Sequence, residues 1–372
     1  MSDRLSHLLH DGAATVDVPA PSAHAVLARG RGLRRRRRAT IGLAAVAVLA
    51  VVGGGAAAVQ SGGVPRTLHD APPAGTTQAT GATFASRGAF AVGTHLHIGD
   101  REVTWREPIK ALSYTSAGVV VLSGSAAATD APGPSHYTLV TPGGDRTQVD
   151  VRMGDRVAGF EPDSTHMAYA ESRGPGWDVV VVDVTTSTEL GRTRIAGSYT
   201  WGGGEAPPVV IDGDVVWAHL DDGWTEVDWR TGDVRTVPGT DAVSEAANGV
   251  YATRDERDTW TVHSMADGTV LGTVPLRTGW YAFFSPDGRF LRSFDNMGSG
   301  DDGPAASVYD VRTGGRRDIA GPLDGLGWTP DGHTLAVAGH TVTTCAPMGG
   351  GCSTRTFEGT GPLRLGDSPH QS

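Results

Sequence analysis

The stretch Phe284-Ser285-Pro286-Asp287-Gly288-Arg289-Phe290 joins two apolar runs through a turn whose chemistry is explicit. Proline presets φ at the second turn position, aspartate bonds the backbone just beyond itself, and glycine supplies the positive φ that completes the reversal. The element returns 44 positions later as Trp328-Thr329-Pro330-Asp331-Gly332. A weaker form, Phe160-Glu161-Pro162-Asp163-Ser164, stands 124 positions before Phe284, three periods of about 41 residues.

A second turn signal keeps the same step. Asp183 opens Asp-Val-Thr-Thr-Ser, Asp228 opens Asp-Trp-Arg-Thr-Gly and Asp310 opens Asp-Val-Arg-Thr-Gly, at spacings of 45 and 82. Relatives occur at Ala266-Asp267-Gly268-Thr269 and Thr141-Pro142-Gly143-Gly144-Asp145. Two independent turns sharing a period of roughly 40–45 residues, with four short strands per period, are the signature of a β-propeller. In the sixth unit strand a is Trp280 to Phe284, b is Phe290 to Phe294, c is Ala306 to Val311 and d is Arg316 to Ala320. Units fall at about 110–152, 156–196, 197–239, 240–276, 277–321 and 322–359. A seventh is split, with Gly88 to Trp105 giving strands b, c and d and Pro362 to Gly366 giving strand a. The expected fold is therefore all-β, a seven-bladed propeller over residues 84–367, with six or eight blades as alternatives. Its closure through the two chain ends removes sheet edges that would otherwise template aggregation.

The net charge of −10 hides a split. Residues 1–38 hold eight arginines against three aspartates, or +5; the other 23 cations face 38 anions, or −15. An acidic domain of that kind argues against binding a nucleic-acid backbone, which needs clustered cations. Residues 39–59 (Ala39 to Val59) are 21 positions without a charge, preceded directly by Arg34, Arg35, Arg36, Arg37 and Arg38. About 20 apolar residues span a bilayer core, and arginines on one flank keep that flank in the cytoplasm. The reading is a basic cytoplasmic tail (1–38) that contacts lipid headgroups, a transmembrane helix (39–59), a flexible Gly/Pro/Thr/Ala linker (60–83) and an extracytoplasmic propeller, with residues 368–372 as a tail. Cleavage of the segment as an export signal, for which Ala56-Ala57-Ala58 would serve, is the alternative. Short leucine and alanine patches in the tail could dock on a cytoplasmic partner.

The stretches FSPDGRF, WTPDGHTLAVA and VYDVRTGG resemble the repeats of TolB-type and WD-repeat-like propellers of bacterial envelopes, over roughly residues 85–367. The Gly-His…Trp-Asp signature of eukaryotic WD repeats is missing. The layout of tail, poly-arginine, helix and propeller also resembles actinobacterial membrane proteins often encoded beside sigma factors, which implies a signalling role. The zinc-binding anti-sigma motif needs cysteine in the tail, and no cysteine precedes Cys345. Propellers host many unrelated activities, so the resemblance speaks for fold.

Chemistry-bearing motifs are sparse. There is no Gly-x-Ser-x-Gly elbow and no HExxH, and Gly366-Asp367-Ser368-Pro369 reads as ordinary C-terminal sequence. His95 and His97 share a strand face, and Asp295-Asn296 with Asp301-Asp302 occupy a glycine-rich loop, but neither set has the ligand order of a metal site. No metal or cofactor is expected. Cys345 and Cys352 flank the hairpin between strands c and d of the last blade and are expected to form a disulfide. The connections from b to c look longer and less regular than those on the opposite face, notably Ser123 to Ser135, Ser172 to Gly176 and Asn296 to Ala305. Function concentrates on variable loops over a rigid scaffold. Trp177, Asp221, Asp222, Arg254, Asp255, Asp295 and Asp301 are the candidate residues there for a protein, peptide or glycan ligand. The expected function is a membrane-anchored, non-enzymatic binding or sensor module; a lyase or hydrolase with its site in the central funnel, and a passive envelope scaffold, are the alternatives.

Overall fold

A computed structural model describes residues 74–126, 135–151, 158–200, 206–237, 243–254, 259–275, 281–294, 306–319 and 323–367. The chain divides into two units, Met1–Asp70 and Ala71–Ser372. The first unit, with the expected cytoplasmic tail, Arg34 to Arg38 and the apolar segment 39–59, lies outside the described residues, as do residues 60–73 and 368–372. No helix among the described residues is long and apolar enough to cross a membrane.

The second unit is built from seven four-stranded antiparallel sheets. Each repeat folds locally because its turns close themselves. At Ser285–Gly288 the Asp287 carboxylate accepts hydrogen bonds from Ser285 Oγ (2.5 Å) and Arg289 N (3.1 Å), Ser285 Oγ accepts from Phe290 N (3.0 Å), and Gly288 sits at φ 67°. Thr329, Asp331 and Gly332 (φ 81°) repeat the arrangement. In the second turn family one carboxylate oxygen collects two consecutive backbone N–H groups: Asp228 takes those of Arg230 and Thr231 at 3.0 and 2.9 Å, and Asp310 those of Arg312 and Thr313 at 3.0 and 3.1 Å. These are Asx turns, which offer the backbone its bonds before any tertiary contact forms.

The inner strands a are, in order round the ring, Leu363–Leu365, Ile109–Thr115, Gly159–Phe160, Val209–Asp212, Val243–Ala247, Tyr281–Phe284 and Gly325–Trp328, in blades 1 to 7. The sixth blade reproduces the expected strands to within a residue or two: Tyr281–Phe284, Phe290–Phe294, Ala306–Asp310 and Arg316–Ile319. Middle strands such as Gly118–Gly124 are buried throughout, because neighbouring blades cover both faces. The outermost strands are exposed and charged, as in Arg101–Thr104 and Asp233–Thr236, which blunts the remaining edges. The core lies between blades. Val120, Leu122 and Leu139 of blade 2 meet Met167, Val180 and Val182 of blade 3, and Ala252, Trp260 and Val262 of blade 5 meet Phe284, Leu291 and Tyr309 of blade 6.

The ring closes through blade 1. Strand Leu363–Leu365 pairs with Ala89–Val92 in the register Phe90↔Leu365, Ala91↔Arg364, Val92↔Leu363, followed by His95–Ile98 and Arg101–Thr104. Gly366 N bonds Ala89 O (3.0 Å) and Asp367 N bonds Leu112 O (3.1 Å), tying the C-terminal strand to blade 2 as well. The buried Tyr114 hydroxyl accepts from Ala89 N (2.9 Å) and donates to Trp328 O (2.9 Å), so one side chain binds blades 1, 2 and 7 together.

One boundary moves. Residues 74–83, read as flexible linker, begin the helix Ala74–Arg87. The alanine- and threonine-rich run contains no proline after Pro73, so nothing interrupts helical hydrogen bonding. Phe84 anchors it edge-on to Tyr114 at 5.8 Å, and Gly88 (φ 63°) ends it with a bond from its N–H to Phe84 O (2.8 Å). Cys345 and Cys352 are register partners with Cα atoms 4.3 Å apart, and they form the expected disulfide.

Candidate functional site

Strand order places all b–c and d–a connections on one face of the ring and all a–b and c–d turns on the other. The expectation that the b–c loops are long is corrected in part: of the three named, the connection from Ser172 to Gly176 has only three residues between the strands. In blades 1, 4 and 7 strands b and c are joined by two residues, Gly93-Thr94, Asp221-Asp222 and Gly339-His340. The long connections belong to blades 2 and 6, and their middles lie outside the described residues. Length on this face also comes from the d–a connection 197–208 between blades 3 and 4.

Of the candidates on this face, Asp255, Asp295 and Asp301 lie outside the described residues. Trp177 is the second residue of strand c of blade 3 (Gly176–Asp183), half-buried, with Tyr199 of the 197–208 connection edge-on at 6.5 Å. The Asp221 carboxylate accepts from Thr200 N (2.8 Å) and Thr200 Oγ1 (3.1 Å), and these bonds hold it below the ordinary carboxylate range. Trp177 and Asp221 are thus joined through Tyr199 and Thr200 into one corner. Asp222 beside them is exposed, while Arg254 ends strand b of blade 5 and is half-buried. His95 and His97 do not act as a pair: His95 Nδ1 bonds Glu102 (2.8 Å) and His97 stacks on Phe90 at 4.4 Å. Among the described residues no group of three or more His, Cys, Asp or Glu is placed to hold a metal.

A second constellation, which the sequence reading missed, sits at the axis. Glu245 is the middle residue of inner strand Val243–Ala247 in blade 5. Asp367 follows inner strand Leu363–Leu365 in blade 1 and bonds Leu112, the middle of the inner strand of blade 2. Arg292 starts on strand b of blade 6 and is 1% exposed; it crosses the Phe283 ring at 4.7 Å. Its Nη1 donates to Leu326 O of blade 7 and its Nη2 to Asp367 O at 2.8 Å. Arg292 thus joins blade 6 to the C-terminal main chain at Asp367, and Glu245 of blade 5 lies within electrostatic reach of both.

Their electrostatics follow from that position. Burial pushes Glu245 well above its usual range; the Asp367 charge adds to this and Arg292 opposes it. Burial likewise pushes Asp367 up to about 6 against the pull of Arg292, and brings Arg292 down to about 10 despite both carboxylates. No hydrogen bond among the described residues reaches either carboxylate. Both residues are half-buried as a whole. The missed signal was a charge inside an apolar strand, in Phe-Leu-Arg-Ser-Phe and Val-Ser-Glu-Ala-Ala. Asp367, read as ordinary C-terminal sequence, is wall.

No protein-family model matches this chain, and no curated protein matches it. Among solved structures, TolB from Acinetobacter baumannii superposes with a TM-score of 0.42 at 13% identity, over 76% of this chain and 66% of that one. The Kuenenia stuttgartiensis hydrazine synthase gives 0.40 at 15%, over 68% and 80%. The computationally designed Ika8 protein gives 0.44 at 12%, over 75% and 84%. Likeness at this level carries no statement about activity. The seven sheets, their strand order and the closing strand identify the chain as a seven-bladed β-propeller.

Proposed function

We propose that the chain is an exported, single-pass membrane-anchored propeller that binds a ligand on its b–c and d–a face, over the axial opening, and does not turn it over. The observation that carries this reading is the grouping of Glu245 and Asp367 round the buried Arg292, where no hydrogen bond among the described residues reaches either carboxylate. Groups kept uncompensated inside a wall cost stability, and a ligand that complements them recovers it. The corner of Trp177, Tyr199, Thr200 and Asp221 supplies a rigid rim on the same face. A protein, peptide or glycan carrying the complementary group suits such a rim. The charge asymmetry about residues 39–59 supports the anchor and the orientation, and a sensor linked to a cytoplasmic partner is the role that topology favours.

Photo-crosslinking in intact cells tests this. A photoreactive residue at the exposed Asp222 on the b–c face is expected to give a discrete adduct, and one at the exposed Asp267 on the opposite face is expected to give none. Equal yields from both faces, or none from Asp222, contradict the reading. Protease added outside intact protoplasts is expected to digest the propeller and spare the tail.

The axial trio also gives weight to an enzyme reading, because two carboxylates beside a guanidinium are the parts of an acid–base pair with an anion stabiliser. Turnover of a bound ligand that disappears in Glu245→Gln would favour catalysis over binding.

A further inference from the structure

We infer that the cavity between blades 7 and 1 is a subsite for the ring of a neutral sugar. The inference rests on the binding reading above, because the cavity opens on the same face, and it narrows the ligand to a glycan.

Closure of the ring makes this cavity. Its volume is about 400 Å³, the size of a small-molecule site. Its walls come from the Gly339-His340 turn and from the d–a connection 357–362 that leads into the closing strand. Main-chain bonds hold those walls in place without a ligand: Phe357 N donates to His340 O at 3.0 Å, and Gly93 N to Pro362 O at 2.9 Å. Val92 and Val337, both buried, form the floor with Leu363. Phe357 forms one side, its ring set among those of Phe90 (5.2 Å), His340 (5.5 Å) and His97 (6.1 Å). A ring so confined is a platform that a ligand need not order.

The polar groups stand at the exposed rim. Asp324 accepts from Gly339 N through one carboxylate oxygen, and among the described residues nothing donates to the other. The Thr360 hydroxyl and the His340 ring nitrogens also have no hydrogen-bond partner among the described residues. Asp324 is the one formally charged side chain lining the cavity. Arg355 lies outside it, stacked on Phe90 at 4.9 Å and donating to the main-chain oxygens of Gly99 and Arg87.

A ligand that fits is therefore apolar on one side, rich in hydroxyl groups on the other, and free of negative charge. A pyranose ring is all three. Its C–H face lies on Phe357, and its hydroxyls donate to Asp324 and accept from Thr360. An aromatic side chain of a peptide would fill the floor but strip water from Asp324 and Thr360 with nothing in return. An organic cation would pair with Asp324 and leave Thr360 and His340 uncompensated. An anion would meet the carboxylate with no cation on the wall to offset it.

The test is saturation-transfer NMR of the full-length chain in a sugar-free detergent. Glucose, galactose, mannose and N-acetylglucosamine are the probes, with benzylamine and benzyl alcohol as comparators. At least one sugar is expected to bind saturably and more tightly than either comparator. Phe357→Ala and Asp324→Asn are each expected to weaken it about tenfold or more, the second while keeping an acceptor for Gly339 N. Asp267→Asn on the opposite face should leave it unchanged. Binding by none of the four sugars overturns the inference. So does a sugar affinity that survives either substitution, or a loss that Asp267→Asn shares. Tighter binding of a comparator overturns it in favour of a peptide side chain. If Phe357→Ala loses its native circular dichroism, Asp324→Asn decides alone. Face-specific crosslinks at Asp222 that persist without sugar binding would sink this subsite and spare the binding reading; sugar binding without those crosslinks would do the reverse.

Discussion

Two contacts show how narrowly single residues are specified. A Cβ added at Gly366 would lie 2.0 Å from the Tyr114 hydroxyl, inside the knot that joins blades 1, 2 and 7. Gly366→Ala should therefore displace Tyr114 and lower the melting temperature, with a loss of about 2 kcal/mol or more. Tyr114→Phe keeps the ring and removes only the hydroxyl, leaving Ala89 N and Trp328 O to other partners; it should cost about 1–3 kcal/mol in denaturant unfolding. If both variants unfold like wild type, the closure does not depend on this knot. The residues of the axis were illegible beforehand for a physical reason. Glu245, Arg292 and Asp367 are far apart in the chain, with 75 positions separating the last two. Only ring closure brings them together. Turn residues were legible because their partners are two or three positions away.

At the scale of elements, the a–b and c–d turns carry the fold. In Asp228-Trp229-Arg230-Thr231-Gly232 one carboxylate oxygen holds two N–H groups. Asp228→Ala removes the acceptor of both N–H groups and should cost about 1 kcal/mol, more than Asp228→Asn, whose side-chain oxygen still accepts. A melting series across Asp, Asn and Ala at this position checks the order. The disulfide closes a hairpin of separation 7. Loop-closure entropy assigns it about 2 kcal/mol, so Cys345→Ala with Cys352→Ala should lower stability by no more than that and leave the circular dichroism spectrum unchanged. The strands were foreseen because turn chemistry fixed their ends. The helix Ala74–Arg87 was not, because its sequence has weak amphipathic character and a single aromatic, Phe84, attaches it. Loop lengths misled in blades 1, 4 and 7, where two-residue b–c turns replace the expected long connections.

For the whole molecule, two turn families of one period determine the number of blades, and the terminal strand determines that they form a ring. That closed ring creates the axis, and the axis creates a polar cluster that no single blade contains. Its ionisation links the molecule to pH. The folded pKa of Asp367 is raised from its ordinary value near 3.8 to about 6. Its stabilising contribution is therefore complete below the unfolded value and is lost as pH rises through about 6. Glu245, raised by the same burial and by Asp367 itself, extends that loss to higher pH, and Arg292 opposes both.

The measurement that tests this account most directly is thermal stability of wild type and Asp367→Asn, followed together from pH 4 to pH 8 without ligand. The variant lacks the buried ionisation. Its advantage should be smallest near pH 4, grow between about pH 4 and pH 6, and level off above that at about 3 kcal/mol. Parallel stability curves across that range would contradict it, since they would mean that Asp367 ionises as freely in the folded ring as in the open chain.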